Sequence, residues 1–122
     1  MSFVKELDEF NFYETLEDSN GIVMVFFTGP HCASCHHLKN LLNSESHQFI
    51  SHFQVSSRDF NAFEIKADKA AALVNEFGVF HLPSMYLYKD GHFHCQLQAD
   101  AIPAKLITAI ETALELPAQE EP

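Results

Sequence analysis

Residues Ile22-Val23-Met24-Val25-Phe26-Phe27 form an unbroken apolar run, closed by Thr28-Gly29-Pro30. A strand with one wet face alternates apolar and polar side chains, whereas a continuous run needs cover on both faces. The run is far shorter than the ~20 residues needed to cross a bilayer as a helix. It therefore predicts an interior strand of a sheet with helices packed on both sides.

The remaining sequence supplies those layers. Phe3-Val4 and Leu7 predict a short first strand, and Leu7, Phe10, Phe12-Tyr13 and Leu16 keep helical spacing up to Ser19-Asn20-Gly21. After Cys32, the spacing Cys35, Leu38, Leu41-Leu42 is helical and resumes at Phe49-Ile50 and Phe53, before a loop at Ser56-Ser57-Arg58-Asp59. Ala62 to Ala67 alternates like a strand, with Phe63 and Ile65 on one face and Glu64 and Lys66 on the other. Asp68 is the expected N-cap of a helix Lys69–Phe77, with Gly78 at its C-terminal end. Met85–Lys89 and Phe93–Leu97 flank Asp90-Gly91, a strong hairpin signal, and a last helix opens near Pro103 on Leu106, Ile107, Ile110 and Leu114. The order is βαβα, βα, a β-hairpin and a helix. It predicts an α/β fold: a central mixed β-sheet flanked by helices on both faces.

With 122 residues, 47% hydrophobic, the chain suffices for one domain, read here as residues 1–116, followed by a flexible acidic tail, 117–122. The formal net charge of −10 disfavours a nucleic-acid partner. That charge is uneven: residues 1–20 carry six acids and one base, and residues 111–122 four acids and no base. The middle of the chain is nearly neutral and holds all eight histidines. The N-terminus lacks the basic and apolar regions of a secretory signal, so the expectation is a cytoplasmic chain with no membrane partner.

Of three cysteines, Cys32 and Cys35 form a Cys-x-x-Cys pair where the apolar strand gives way to a helix. Spacing of i, i+3 puts both sulfurs on one helical face, and unpaired N–H groups at a helix N-terminus favour thiolate. Cys32, at the outer position, is then the nucleophile and Cys35, one turn in, the resolving thiol. His31 and His36 are positioned to raise the local positive potential, with exposed, uninvolved side chains as the plainer reading. The run Cys32-x-x-Cys35-His36 also matches a haem-attachment pattern, but neither an export signal nor the flanking sequence supports it. Zinc held by Cys32, Cys35 and His36 or His37 lacks a second Cys or His pair at structural-site spacing. Along the last strand, alternation puts His92, His94, Gln96 and Gln98 on a solvated face, with Phe93, Cys95 and Leu97 inward.

These motifs together resemble the thioredoxin family, over about Phe3 to Leu114. The resemblance rests on the strand leading into Cys32-x-x-Cys35, on Phe77-Gly78-Val79-Phe80-His81-Leu82-Pro83-Ser84, and on Tyr88-Lys89-Asp90-Gly91. It implies a thioredoxin-like fold and a redox-active Cys32/Cys35 dithiol exchanging disulfides with protein substrates. A reductase partner would regenerate the dithiol; no cofactor, no metal and a monomeric state are implied. Pro83 would be the family's cis-proline, and Leu82, Pro83 and His31 would border the substrate. The alternative is a non-catalytic interaction or metal-binding module on the same fold.

Several positions depart from the family pattern. His31 stands where Trp is usual, and Ala33-Ser34 replaces the usual Gly-Pro between the cysteines. Phe26 occupies the place of a buried carboxylate, while Glu64 falls near that carboxylate's usual lysine partner. Glu64 is thus a candidate relocated acid–base group, with a solvated or structural glutamate as the plainer reading. Ala99-Asp100 replaces a late glycine, and the stretch from Cys35 to Asp68 is longer than usual.

Overall fold

The computed structural model describes residues 2–122. Its elements are β1 (Lys5–Leu7), α1 (Phe12–Glu17), β2 (Ile22–Thr28), α2 (Ala33–Ser44), α3 (Ser46–Gln54), β3 (Phe60–Lys66), α4 (Ala71–Phe77), β4 (Ser84–Lys89), β5 (His92–Leu97) and α5 (Pro103–Glu115). The five strands form one sheet in the order β1-β3-β2-β4-β5, with β2 parallel to β3 and antiparallel to β4. This is the mixed sheet expected from the sequence, and β2 is the middle strand.

Every residue of β2 is buried, as the unbroken apolar run requires. Its alternate side chains feed two cores. Ile22, Met24 and Phe26 pack with Leu38 and Leu42 of α2, Phe49 and Phe53 of α3, and Leu106 and Ile110 of α5. Val23, Val25 and Phe27 pack on the opposite face with Phe12 and Leu16 of α1 and Leu73 and Phe77 of α4. Phe12, Phe27 and Phe77 meet edge-on or tilted at centroid distances of 5.6 Å, the geometry aromatic quadrupoles favour.

The hairpin turn forms at Asp90-Gly91, where both residues have positive φ (49° and 83°), the left-handed pair that matches the twist of the flanking strands. Gly78, at φ 61°, ends α4 as expected.

Four expectations change. The first helix starts at Phe12, because Asp8 accepts the N–H groups of Phe10 and Asn11 and holds 8–11 as a loop. That loop leaves Phe10 in solvent. Asp68 is not a helix N-cap: a 3-10 turn, Ala67–Lys69, precedes α4, and the Ala72 N–H is met by the Glu9 carboxylate at 3.1 Å. A donor orphaned at a helix start needs an acceptor, and here it comes from a distant loop.

The third change lies in β5. The register pairs Tyr88 with Phe93 but Leu87 with Cys95, so His94 is an extra, bulged residue. A one-residue insertion reverses the inside–outside alternation. Phe93 therefore joins the α1/α4 core, while Cys95 and Leu97 face the opposite core. His94, expected in solvent, is buried with its Nε2 2.7 Å from the Ala113 carbonyl of α5. Lastly, the acidic tail touches the sheet: the Gln119 N–H donates to the His94 carbonyl at 2.7 Å.

Candidate active site

The site forms where β2 and β3 end and β4 begins, since parallel and antiparallel pairing bring those termini to one edge of the sheet. Cys32 is the N-cap of α2, with extended φ and ψ (−108°, 100°), so its side chain turns back over the first helical turn. The Cys35 N–H donates to Cys32 Sγ at 3.2 Å, which satisfies one of the orphan donors of the helix start. The two cysteines are joined as a disulfide, their Cα atoms 5.2 Å apart. Cys32 is half-buried and reachable, whereas Cys35 is buried beneath it. Ser34 Oγ lies 3.5 Å from Cys32 Sγ.

The segment before β4 closes one side. Cys32 Sγ is 3.9 Å from the Leu82 carbonyl oxygen, within reach of an S–H once the disulfide opens. The Leu82–Pro83 peptide is cis. Ser84, buried at the start of β4, donates its hydroxyl to the His81 carbonyl and closes the turn. Gly29 allows this loop to come close: a Cβ there would stand 2.7 Å from Leu82 Cδ1. His31 adopts a positive φ of 59°, a region in which histidine is enriched among non-glycine residues, and its side chain is exposed beside the dithiol.

Glu64 is not on a solvated face. It is Cα-paired with Phe26 across β2–β3 and is 5% exposed, so its carboxylate lies at the buried end of the strand. The Thr28 hydroxyl donates to Glu64 Oε2 at 2.7 Å, and Lys39 Nζ stands 2.9 Å from Oε1. Burial pushes the carboxyl up, but the Thr28 and Lys39 hydrogen bonds and the Lys39 and Lys66 charges outweigh it. The net result lies below the ordinary carboxylate value. A cavity of about 320 Å³ is lined by both Cys35 and Glu64, together with Thr28, Lys39 and His36.

Thr28 and Lys39 went unread in the sequence. Lys39 is at i+4 from Cys35, hence on the same helical face, and that spacing was the available signal. Cys95 lies in the α2/α5 core away from the dithiol, and burial pushes its thiol pKa up, as for an inert core cysteine. Among the described residues, no group of three or more His, Cys, Asp or Glu side chains is placed to hold a metal ion.

The thioredoxin family model matches residues 3–112. The chain belongs to the thioredoxin family. It is 30% identical over 107 residues to thioredoxin Y, a chloroplastic protein of Oryza sativa subsp. japonica. The match covers 87% of this chain and 59% of that relative, so the chain spans under two thirds of the relative's length. Among solved structures, the zinc-bound form of human ERp44 superposes with a TM-score of 0.75 over 89% of this chain and 30% of that one. At 15% identity, that likeness shows the thioredoxin fold alone. In this chain the buried carboxylate beside the dithiol cavity stands on β3, held by Thr28 of β2 and by a lysine of α2.

Proposed function

We propose that this thioredoxin-family chain is a thiol–disulfide oxidoreductase acting on protein disulfides. The observation that carries the reading is the asymmetry of the pair: Cys32 reachable at the N-terminus of α2, and Cys35 bonded to it and buried. In the reduced state the Cys32 thiolate keeps the Cys35 N–H as a donor and gains from the helix dipole. It attacks one sulfur of a substrate disulfide, forming a mixed disulfide and releasing the other substrate sulfur as thiolate. Cys35, as thiolate, then attacks Cys32 Sγ. The Cys32–Cys35 disulfide forms, the second substrate thiolate leaves, and two electrons have passed to the substrate. A reductase partner returns the pair to dithiol.

Leu82, Pro83 and His31 border the approach to Cys32; the exposed Leu82 side chain supplies apolar contact to an extended substrate segment. Glu64 serves Cys35. The two line one cavity. With its pKa held below the ordinary carboxylate range Glu64 is a weak base, so its part is to pass the Cys35 proton on to solvent in that cavity rather than to keep it.

The test replaces Cys35 with Ser and looks for proteins captured on Cys32 in extract, alongside a thiol redox titration of the unaltered chain. Captured adducts that reducing agent releases, with a single two-electron couple near biological potentials, are the expected result. An inert pair with no adducts refutes the reading and leaves a binding module on the same fold.

A further inference from the structure

The sheet has two edges, and they are protected by different means. β1 is three residues long and carries Lys5 and Glu6, and a short, charged strand pairs poorly with a foreign strand. β5 is six residues long, His92 to Leu97, with no Asp, Glu, Lys or Arg. The bulge at His94 twists it, but the strand itself holds no charge to oppose pairing.

What covers this edge is Gln119. Its N–H donates to the His94 carbonyl at 2.7 Å, and its side-chain Oε1 accepts the Gln96 N–H at 3.2 Å. One residue thus brackets Cys95 from outside, meeting main-chain groups that a neighbouring strand would otherwise take. The contact extends toward the hairpin, where Glu121 lines a hollow with Tyr88 and His92. All residues from Glu115 onward are exposed, so the strap rests on few contacts. Such solvent-exposed hydrogen bonds are individually weak, and the strap is displaceable.

From this contact we infer that segment 117–122 is a removable cap on β5, and that the edge beneath it pairs with β5 of a second copy once the cap lifts. A strand edge is self-complementary about a twofold axis. Because β5 lacks charged residues, antiparallel pairing with itself brings no like charges together. With the cap in place Gln119 occupies the main-chain groups such a seam would use, and the segment brings the charges of Glu120 and Glu121 to a strand that has none of its own. The acidic end of the sequence thus acts at one strand.

The test uses the full chain carrying Gln119→Pro, which removes both the N–H and the side-chain acceptor. Amide exchange at Gln96 in dilute protein is expected to rise roughly tenfold, the change that losing one hydrogen bond brings. Sedimentation in reductant should show a concentration-dependent dimer that the unaltered chain does not form. Adding Gln96→Lys to Gln119→Pro sets two lysines near each other across the seam and is expected to restore the monomer. Unchanged Gln96 exchange refutes the cap. Faster exchange with a monomer at every concentration refutes the pairing edge, as does a dimer that Gln96→Lys leaves intact. None of these readouts depends on the dithiol.

Discussion

Lys39→Met is the sharpest perturbation of the buried carboxylate, because it keeps most of the side-chain volume and removes the ammonium charge together with the hydrogen bond it donates. At the observed 2.9 Å separation, a unit pair at an effective dielectric near ~20 gains about 6 kcal/mol before costs. Lys39 is 36% exposed and solvent-screened, and Glu64 has lost most of its hydration, so the net coupling should be about 2 kcal/mol. Lys39→Met should therefore cost about 2 kcal/mol at pH 7, and Glu64→Gln about 1 kcal/mol, since the amide still accepts from Thr28. The double variant should cost no more than Glu64→Gln alone.

The pH dependence has a definite sign. Glu64 has a folded pKa below its unfolded value, so its stabilisation is complete above the unfolded carboxylate value and is lost as pH falls through the folded one. The Lys39→Met deficit should thus be full at pH 7 and shrink in the acid range below about 4.3. Urea unfolding at pH 7, 5 and 3 measures it, with a midpoint drop of roughly 1 M at neutral pH. A coupling below about 0.5 kcal/mol, or a deficit independent of pH, would show that Lys39 and Glu64 are neighbours without an energetic bond.

Two glycines give contrasting expectations. Gly21 has φ 73° and a Cβ there would stand 2.6 Å from the Asp59 carbonyl oxygen, so Gly21→Ala should cost about 2–4 kcal/mol and lower the melting temperature by roughly 10 °C. Near-equal melting of the two proteins would refute that packing. Gly29→Ala meets only the flexible end of Leu82, so it should cost under about 1 kcal/mol while slowing disulfide exchange with protein substrates by moving the Leu82 rim. Exchange kinetics at unchanged rate would remove Leu82 from the substrate path.

What could be read from the sequence was what is encoded locally. The β2 run, the Asp90-Gly91 turn and the Cys-x-x-Cys pair each act through neighbours a few residues away, so composition and spacing suffice. The bulge at His94 escaped, because one added residue reverses the faces of β5 without altering its apolar content. The position of Cys95 relative to Phe93 was misread for that reason. Glu64 followed a polar alternation that fits a solvated face, and its burial comes from Thr28 and Lys39, 36 and 25 positions distant. The start of α4 likewise depends on Glu9, 63 residues upstream of the amide it receives. Long-range partners of polar groups are the part that a single sequence hides.

The loop that closes the dithiol comes late in the chain. Cys32 and the Leu82 carbonyl that faces it are separated by 50 positions. At synthesis rates of about 5–20 residues per second, that interval is roughly 3–10 s. Throughout it, a chain leaving the ribosome has both thiols but neither the β4 strand nor the loop before it. The two cysteines are therefore together on a nascent chain for the time that about fifty further residues take to add, before the loop that shapes the site exists.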